Sequence, residues 1–392
     1  MKILIVNQHS LNHGDEAAGM ALLRALKERG FHDITIQYNI EETQTGCFAT
    51  GLPAVLGRSV RGQGLVLKLY LRCPCFLTRW LLLTFPKWKS QYQAIRNTQV
   101  IINSPGGANY GDYAYLWRLY EGVRLKRRVL FYSSSIPDIM QSGYFFVLFR
   151  YILKNCDFVS LRDAQSFRFA EAAGIQAEQA IDSAYMQPSA FGNIPAELNS
   201  ELPRNYVVIV PNELYRWHHL YHHGDAQKFD IFFEKLILEF LSQKYSVVLL
   251  PQLFAQGDMN DEHYFRKLQT RIRGDIFVVA DHYSSDVQQQ IIANAEYCIC
   301  CRYHTVVFAI HQGVPFYCLS YEHKMKNMLE LLKLLDCSED ISDALTHPNE
   351  AIEKIKVNFK ERTKNRNRVA HASRTAHEIA FRNFEKFIQH LK

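Results

Sequence analysis

No Asp or Glu occurs anywhere between Thr43 and Gly111, although the same span carries Arg58, Arg61, Lys68, Arg72, Arg79, Lys87, Lys89 and Arg96. A stretch charged with one sign only needs an anionic partner, or water, to balance it. Other absences narrow the field. No low-complexity segment and no short-period repeat stands out, which leaves aside disordered tracts and solenoids. The opening M-K-I-L-I-V-N-Q has the wrong length and flanks for a secretory signal and reads as a core strand, so a cytoplasmic location is expected. The nine cysteines are scattered singly or within strands, which fits a reducing compartment rather than a disulfide framework. Cys73-Pro-Cys75 lacks the two-residue spacer of a zinc knuckle. Cys298, Cys300 and Cys301 sit in a strand-like run, where Cys behaves as a small hydrophobe. No metal site and no cofactor is expected.

What is present is a folded α/β protein. With 392 residues, of which 48% are hydrophobic, the chain exceeds one core and two domains are the default. In the first half, strands at 2–7, 34–38, 100–103, 129–133 and 158–161 alternate with helices, among them 15–29 (ended by Gly30) and 142–155. Residues 187–205, rich in Pro, Asn and Ser, read as a linker. The alternation then restarts with strands at 206–210, 246–250, 276–279, 296–300 and 316–319, the last of the series, and closes with helices over 349–390. This pattern predicts two tandem Rossmann-like domains with parallel, doubly wound sheets. Their boundaries are expected at 1–190 and 203–345, followed by C-terminal helices at 346–392. Open sheets of this kind bind ligands at the carboxyl ends of their strands, in a cleft.

The basic span interleaves its cations with Leu65, Val66, Leu67, Tyr70, Leu71, Phe76, Trp80, Leu81, Leu82, Phe85 and Trp88. As a helix over 61–82 it would set Arg61, Lys68, Arg72 and Arg79 on one face, but Pro74 breaks it into two short pieces. It is too short and too interrupted to span a bilayer, and reads as an element lying on an anionic membrane surface through 58–92. A basic subdomain covering a core, or a nucleic-acid face, is the competing account. Nucleic acid is not the expected partner.

Three groups of residues at strand ends can carry chemistry. The loop N-Q-H-S-L-N-H-G-D-E-A-A-G sets Asn12, Gly14 and Asp15 where backbone N–H groups and a helix dipole face a ligand. It lacks the G-x-G-x-x-G spacing of a dinucleotide site, and Asp15 also reads as a helix N-cap. The loop Ser104-Pro-Gly-Gly-Ala-Asn-Tyr-Gly-Asp112 offers Gly106 and Gly107 for close backbone approach, with Asn109 and Asp112 to read hydroxyls; a structural turn is the alternative. Finally, cations recur after strands: Arg162 in S-L-R-D-A-Q-S, Arg302 and His304 in R-Y-H, and Lys324 in Y-E-H-K. Arg suits bidentate recognition of carboxylate or phosphate, Lys acts as a point charge, and His can deliver a proton near neutral pH. Together they suit a small polyanion.

The motifs N-H-G-D-E-A, P-G-G after a strand, S-L-R-D-A-Q-S and C-R-Y-H-T-x-x-F-A-I-x-x-G-V-P-F-x-x-L-x-Y-x-x-K occur here in that order. In this the chain resembles the polysaccharide pyruvyl transferases, the last block being the most specific. The resemblance implies a GT-B-like fold and transfer of the enolpyruvyl unit of phosphoenolpyruvate to two glycan hydroxyls as a cyclic ketal, with release of phosphate. It also implies a lipid-linked or polymeric glycan acceptor of a bacterial capsule or exopolysaccharide. One departure is S-S-S-I-P-D at 133–138, where many members have a G-I-G-P turn. Carried over by motif, Arg302 and His304 form the catalytic pair, and Arg162, Arg302 and Lys324 bind phosphoenolpyruvate. Asn12, Asp15, Gly106, Gly107, Asn109 and Glu322 are assigned to the acceptor. A GT-B-type glycosyltransferase using a nucleotide sugar is the alternative expectation.

Overall fold

A computed structural model of the protein describes residues 1–9, 12–38, 62–106, 113–136, 143–188, 192–218, 221, 225–253, 260–280 and 283–392. The chain forms two compact units. One comprises Met1–Ser10, Asp15–Met186 and Ile379–Lys392; the other comprises Leu11–Gly14 and Gln187–Glu378.

The first unit follows the order β1 Ile3–Gln8, α1 His13–Glu28, β2 Ile34–Tyr38, α2 Gln63–Arg72, α3 Phe76–Leu83, α4 Pro86–Arg96 and β3 Val100–Asn103. It continues with α5 Tyr113–Arg124, β4 Arg128–Ser134, α6 Gly143–Lys154, β5 Phe158–Leu161, α7 Ala164–Ala172 and β6 Glu178–Gln179. Its six strands lie in the order β2-β1-β3-β4-β5-β6, all parallel. Every residue of β1, β3 and β5 is buried, which is why these strands read as mostly apolar runs rather than alternating ones. Gly30 ends α1 with φ +83°, a left-handed position that costs a glycine nothing.

The second unit contains α8 Ala196–Glu201, β7 Tyr206–Val210, α9 Leu214–Trp217, α10 Ala226–Ser242, β8 Ser246–Leu249, α11 Asp261–Arg271 and β9 Ile276–Val278. There follow α12 Ser285–Ala293, β10 Tyr297–Cys300, α13 Tyr303–His311, β11 Phe316–Ser320, α14 His323–Leu331, β12 Ser338–Asp340, α15 Ile341–Thr346 and α16 Pro348–Lys360. Its six parallel strands run β12-β11-β10-β7-β8-β9. Cys298, Cys300, Cys301 and Cys318 are fully buried, and burial pushes their thiols up, as expected of small apolar packing residues. The last helix, α17 Arg362–Leu391, carries its final turns into the first unit. Among the described residues no helix is long and apolar enough to cross a membrane.

Two parallel sheets clad in helices agree with the fold expected from the sequence. Several details differ. The helix α1 begins at His13, not at 15, because the Asn12 side-chain oxygen accepts the Gly14 N–H at 2.8 Å and starts the turn early. Asp15 therefore lies inside the first turn and is not the N-cap. The strand at 316–319 is not the last, since β12 pairs with β11 beyond it. Neither β12 nor β6 is long enough to show a period in sequence. The stretch read as linker contains α8, which starts after Pro195. As expected, the basic span breaks at Cys73-Pro74-Cys75 into α2 and α3; a third helix, α4, follows. Arg58 and Arg61 lie outside the described residues.

The end of α17 closes the first sheet. Phe387 is fully buried, with its ring 4.6 Å from that of Tyr132 on β4, 5.9 Å from Phe158 on β5 and 5.8 Å from Phe384. Arg128 donates to the Leu391 carbonyl at 2.6 Å. Phe387→Ala should cost about 3–5 kcal/mol through lost burial and a residual cavity. A chemical-denaturation midpoint within error of wild type would refute that account.

Candidate functional site

The second sheet places two motif pairs side by side. Strands β10 and β11 are hydrogen-bonded neighbours, Cys300 opposite Cys318. Arg302 and His304 follow the carboxyl end of β10, and Glu322 and Lys324 follow that of β11. Each strand feeds directly into a helix. Arg302 is the N-cap residue of α13 and Glu322 that of α14, yet neither side chain accepts a capping hydrogen bond from the backbone of its helix. Both are thus left to act outward from helix N-termini, where backbone dipoles favour anions.

Each cation is held by a carboxylate. Arg302 Nη2 donates to Asp261 Oδ1 at the start of α11. Asp261 Oδ2 accepts the backbone N–H groups of Gln252 and Leu253 at 3.0 and 2.9 Å. Burial works against charge on Arg302, but the Asp261 carboxylate outweighs it and holds the guanidinium above its ordinary pKa. Lys324 Nζ lies 2.6 Å from Glu322 Oε2 and 5.3 Å from the centre of the Tyr303 ring. That cation–π contact links the first turn of α13 to α14. For Glu322, burial would raise the carboxyl, but Lys324 prevails and leaves it below the usual carboxylate range. Tyr321, buried beside Glu322, has its phenol pushed up, chiefly by burial. The His218 ring meets Tyr321 edge-on at 5.3 Å.

His304 occupies the second position of α13, with its ring 4.9 Å from that of Tyr303 and 6.4 Å from that of Phe308. A Cβ added at Gly14 would overlap the Cγ and Nδ1 atoms of the imidazole. Gly14 is therefore required by the ring packed on it. Its N–H is used by Asn12, so the glycine does not present that group to a ligand. Asn12 also bridges to Leu253, so its known bonds are structural.

In the first unit Arg162 is almost wholly buried. Its Nη1 pairs with Asp182, and its Nε donates to Ser135 Oγ at 3.0 Å. Asp15 Oδ1 is buried with no hydrogen-bond partner among the described residues. Gly106, at φ +135°, lies over it; a Cβ there would come within 2.5 Å of Asp15 Oδ1. Gly107, Asn109 and Asp112 lie outside the described residues. So Arg302, His304, Glu322 and Lys324 are brought together in one unit, Asp15 and Gly106 in the other. Asp261, Tyr303 and Tyr321 belong to the first cluster and were not singled out in the sequence. Tyr303 stands between two residues that were; Asp261 has no local signal at all.

The family description polysaccharide pyruvyl transferase matches residues 12–323, which include Asp15, Gly106, Arg302, His304 and Glu322 and end one residue before Lys324. The chain belongs to the polysaccharide pyruvyl transferase family. No curated protein matches it in sequence. Among solved structures it is similar to a protein described as a UDP-N-acetylglucosamine 2-epimerase from Listeria monocytogenes. The two are 11% identical with a TM-score of 0.64, over 100% of this chain and 97% of that one. The UDP-GlcNAc 2-epimerase of Methanocaldococcus jannaschii matches at 11% identity and a TM-score of 0.57, covering 92% of each chain. Anabaena HepE, solved with UDP and glucose, gives 13% and 0.53 over 100% of this chain and 99% of that one. At such identities the likeness establishes a GT-B-like fold and nothing about substrate.

Two outcomes are expected. Gly14→Ala should destabilise by about 1–3 kcal/mol through overpacking, and the double variant with His304→Ala should recover part of the loss. Additive losses would mean that the two sites do not touch. Because the folded carboxyl of Glu322 sits below its unfolded value, its ion pair stabilises above the ordinary carboxylate range and fades as pH falls through the folded value. Urea midpoints of wild type and Glu322→Gln should therefore differ at pH 7 and converge in acid; a constant gap would contradict the pairing.

Proposed function

We propose that the protein transfers the enolpyruvyl unit of phosphoenolpyruvate to two hydroxyls of a glycan, forming a cyclic ketal and releasing phosphate. The observation that carries this reading is the cluster of Arg302, His304 and Lys324 at two adjacent helix N-termini, at the carboxyl end of the family-matched segment 12–323. Phosphoenolpyruvate bears a phosphate and a carboxylate, which call for converging cations and N–H dipoles. Arg302, oriented by Asp261, suits a bidentate contact, and Lys324, steered by Glu322 and Tyr303, supplies a point charge. Arg162 is proposed as a further donor-binding cation on its motif, S-L-R-D-A-Q-S.

His304 is the proposed general acid. Protonation of the methylene carbon turns it into a methyl group and leaves an oxocarbenium-like centre at the neighbouring carbon. One glycan hydroxyl attacks that carbon, the bond to phosphate breaks, and a second hydroxyl closes the ketal. Two hydroxyl protons are released; one replaces the proton taken up by the methyl group, and the other leaves with phosphate. Glu322, kept ionised by Lys324, and Asp15, with its buried Oδ1, are the proposed groups that orient or deprotonate the hydroxyls. Asn12, Gly106, Gly107 and Asn109 are proposed on the acceptor side. The acceptor is proposed to be a lipid-linked or polymeric glycan of the bacterial envelope.

The test is phosphate release from phosphoenolpyruvate with extracted lipid-linked glycans. Release should depend on acceptor and fall by about 10²–10⁴-fold in His304→Ala, the usual contribution of a positioned acid. Arg302→Ala, Lys324→Ala and Arg162→Ala should mainly raise KM for phosphoenolpyruvate. No release with any acceptor, together with thermal stabilisation by a uridine diphosphate alone, would replace this reading with glycosyl transfer.

A further inference from the structure

We infer that the α2–α3 hairpin is a docking element for an anionic phospholipid surface. The two helices are anchored by one face only. Leu67, Tyr70 and Leu71 of α2 and Leu82 of α3 enter the core of the first unit. Tyr70 donates its hydroxyl to Glu121, and the Leu71 carbonyl accepts from the Tyr144 hydroxyl. The opposite faces are apolar and bare. Leu65 is 75% exposed, Phe76 74%, Leu77 68% and Trp80 59%, with Leu69 and Leu81 beside them. On α2, Leu65, Leu69 and Arg72 follow helical spacing; on α3, Phe76, Leu77, Trp80 and Leu81 do the same. In α3 only Leu82 is fully buried, although seven of the eight residues in F-L-T-R-W-L-L-L are apolar or aromatic or carry a long aliphatic stem. Monomeric proteins rarely leave such a contiguous patch to water.

Charge selects the occupant. Lys68, Arg72 and Arg79 lie on the same two helices, and Lys89 follows on α4. None of these four pairs with a carboxylate among the described residues, in keeping with the lack of any Asp or Glu from Thr43 to Gly111. The Arg79 guanidinium lies 5.9 Å from the Phe76 ring, so cation and apolar side chain share one place on the surface. A bilayer surface offers both phases at once: acyl chains for Leu, Phe and Trp, and phosphates for Arg and Lys. With 10 and 8 residues the helices are too short to cross it, so they lie in its plane. The docking does not depend on the reaction proposed above.

The full-length protein would be sedimented, without phosphoenolpyruvate or glycan, with vesicles of phosphatidylcholine alone or mixed with phosphatidylglycerol. Binding should require phosphatidylglycerol and weaken with salt. The double variant Phe76→Glu, Trp80→Glu should bind at least about tenfold more weakly. Arg72→Glu should lose about fivefold on its own. Since all three side chains are exposed, thermal midpoints should not move. Equal binding of wild type and the Phe76/Trp80 variant would overturn the inference. So would absence of vesicle binding, whether the face instead proved to join two copies of the chain by analytical ultracentrifugation or to retain single-stranded RNA. Phosphate release from phosphoenolpyruvate with a soluble acceptor would be unaffected by the Phe76/Trp80 variant, which separates failure of docking from failure of the reaction.

Discussion

The pair between Arg302 and Asp261 fixes more of the second unit than any other single contact in its cluster. One carboxylate oxygen takes the guanidinium, and the other takes two backbone N–H groups from the segment after β8. The turn at 252–253 and the distant Arg302 are thereby held to one carboxylate. Removing one partner of a buried pair leaves the other charge uncompensated, at a cost of about 3–5 kcal/mol. That is a large share of the 5–15 kcal/mol by which domains are typically stable, so the geometry at the start of α13 is firmly determined. With Arg302 fixed, Tyr303 and His304 follow from the helix itself. Tyr303 then meets Lys324, and His304 meets Gly14. The same device recurs in the first unit, where Asp182 holds Arg162.

Much of this could be read in the sequence, for physical reasons that also explain what could not. Strands such as β7 and β10 are buried throughout, so they announce themselves as apolar runs. Strands β6 and β12 sit at sheet edges with two and three residues, too few for any pattern. R-Y-H and Y-E-H-K stand directly after strands, and the parallel pairing of β10 with β11 is what brings them together. Asp261 could not be found this way, being 41 positions from the arginine it orients. Gly14 was read as turning its backbone N–H to a ligand; the structure packs the His304 ring on it and gives its N–H to Asn12. Asn12, read as facing a ligand, also serves the turn that starts α1.

The fold by itself is indifferent to chemistry. Proteins sharing 10–13% of their residues with this chain adopt it around UDP-GlcNAc, or around UDP and glucose. What distinguishes members is written at the carboxyl ends of strands, in a handful of side chains whose partners come from elsewhere in the sheet. Here those partners are carboxylates, and each cation of the proposed donor site arrives already oriented by one. Preorganised charge of that kind needs no rearrangement when an anion binds.

The path of the chain has a consequence for biogenesis. The first unit combines residues up to Met186 with Ile379–Lys392, while residues 187–378 of the second unit lie between. Tyr132 and Phe158 on the first sheet are covered by Phe384 and Phe387 of α17. During synthesis the second unit can therefore complete its sheet while the first still waits for its closing helix. The aromatic face of the first sheet stays open until α17 has been made.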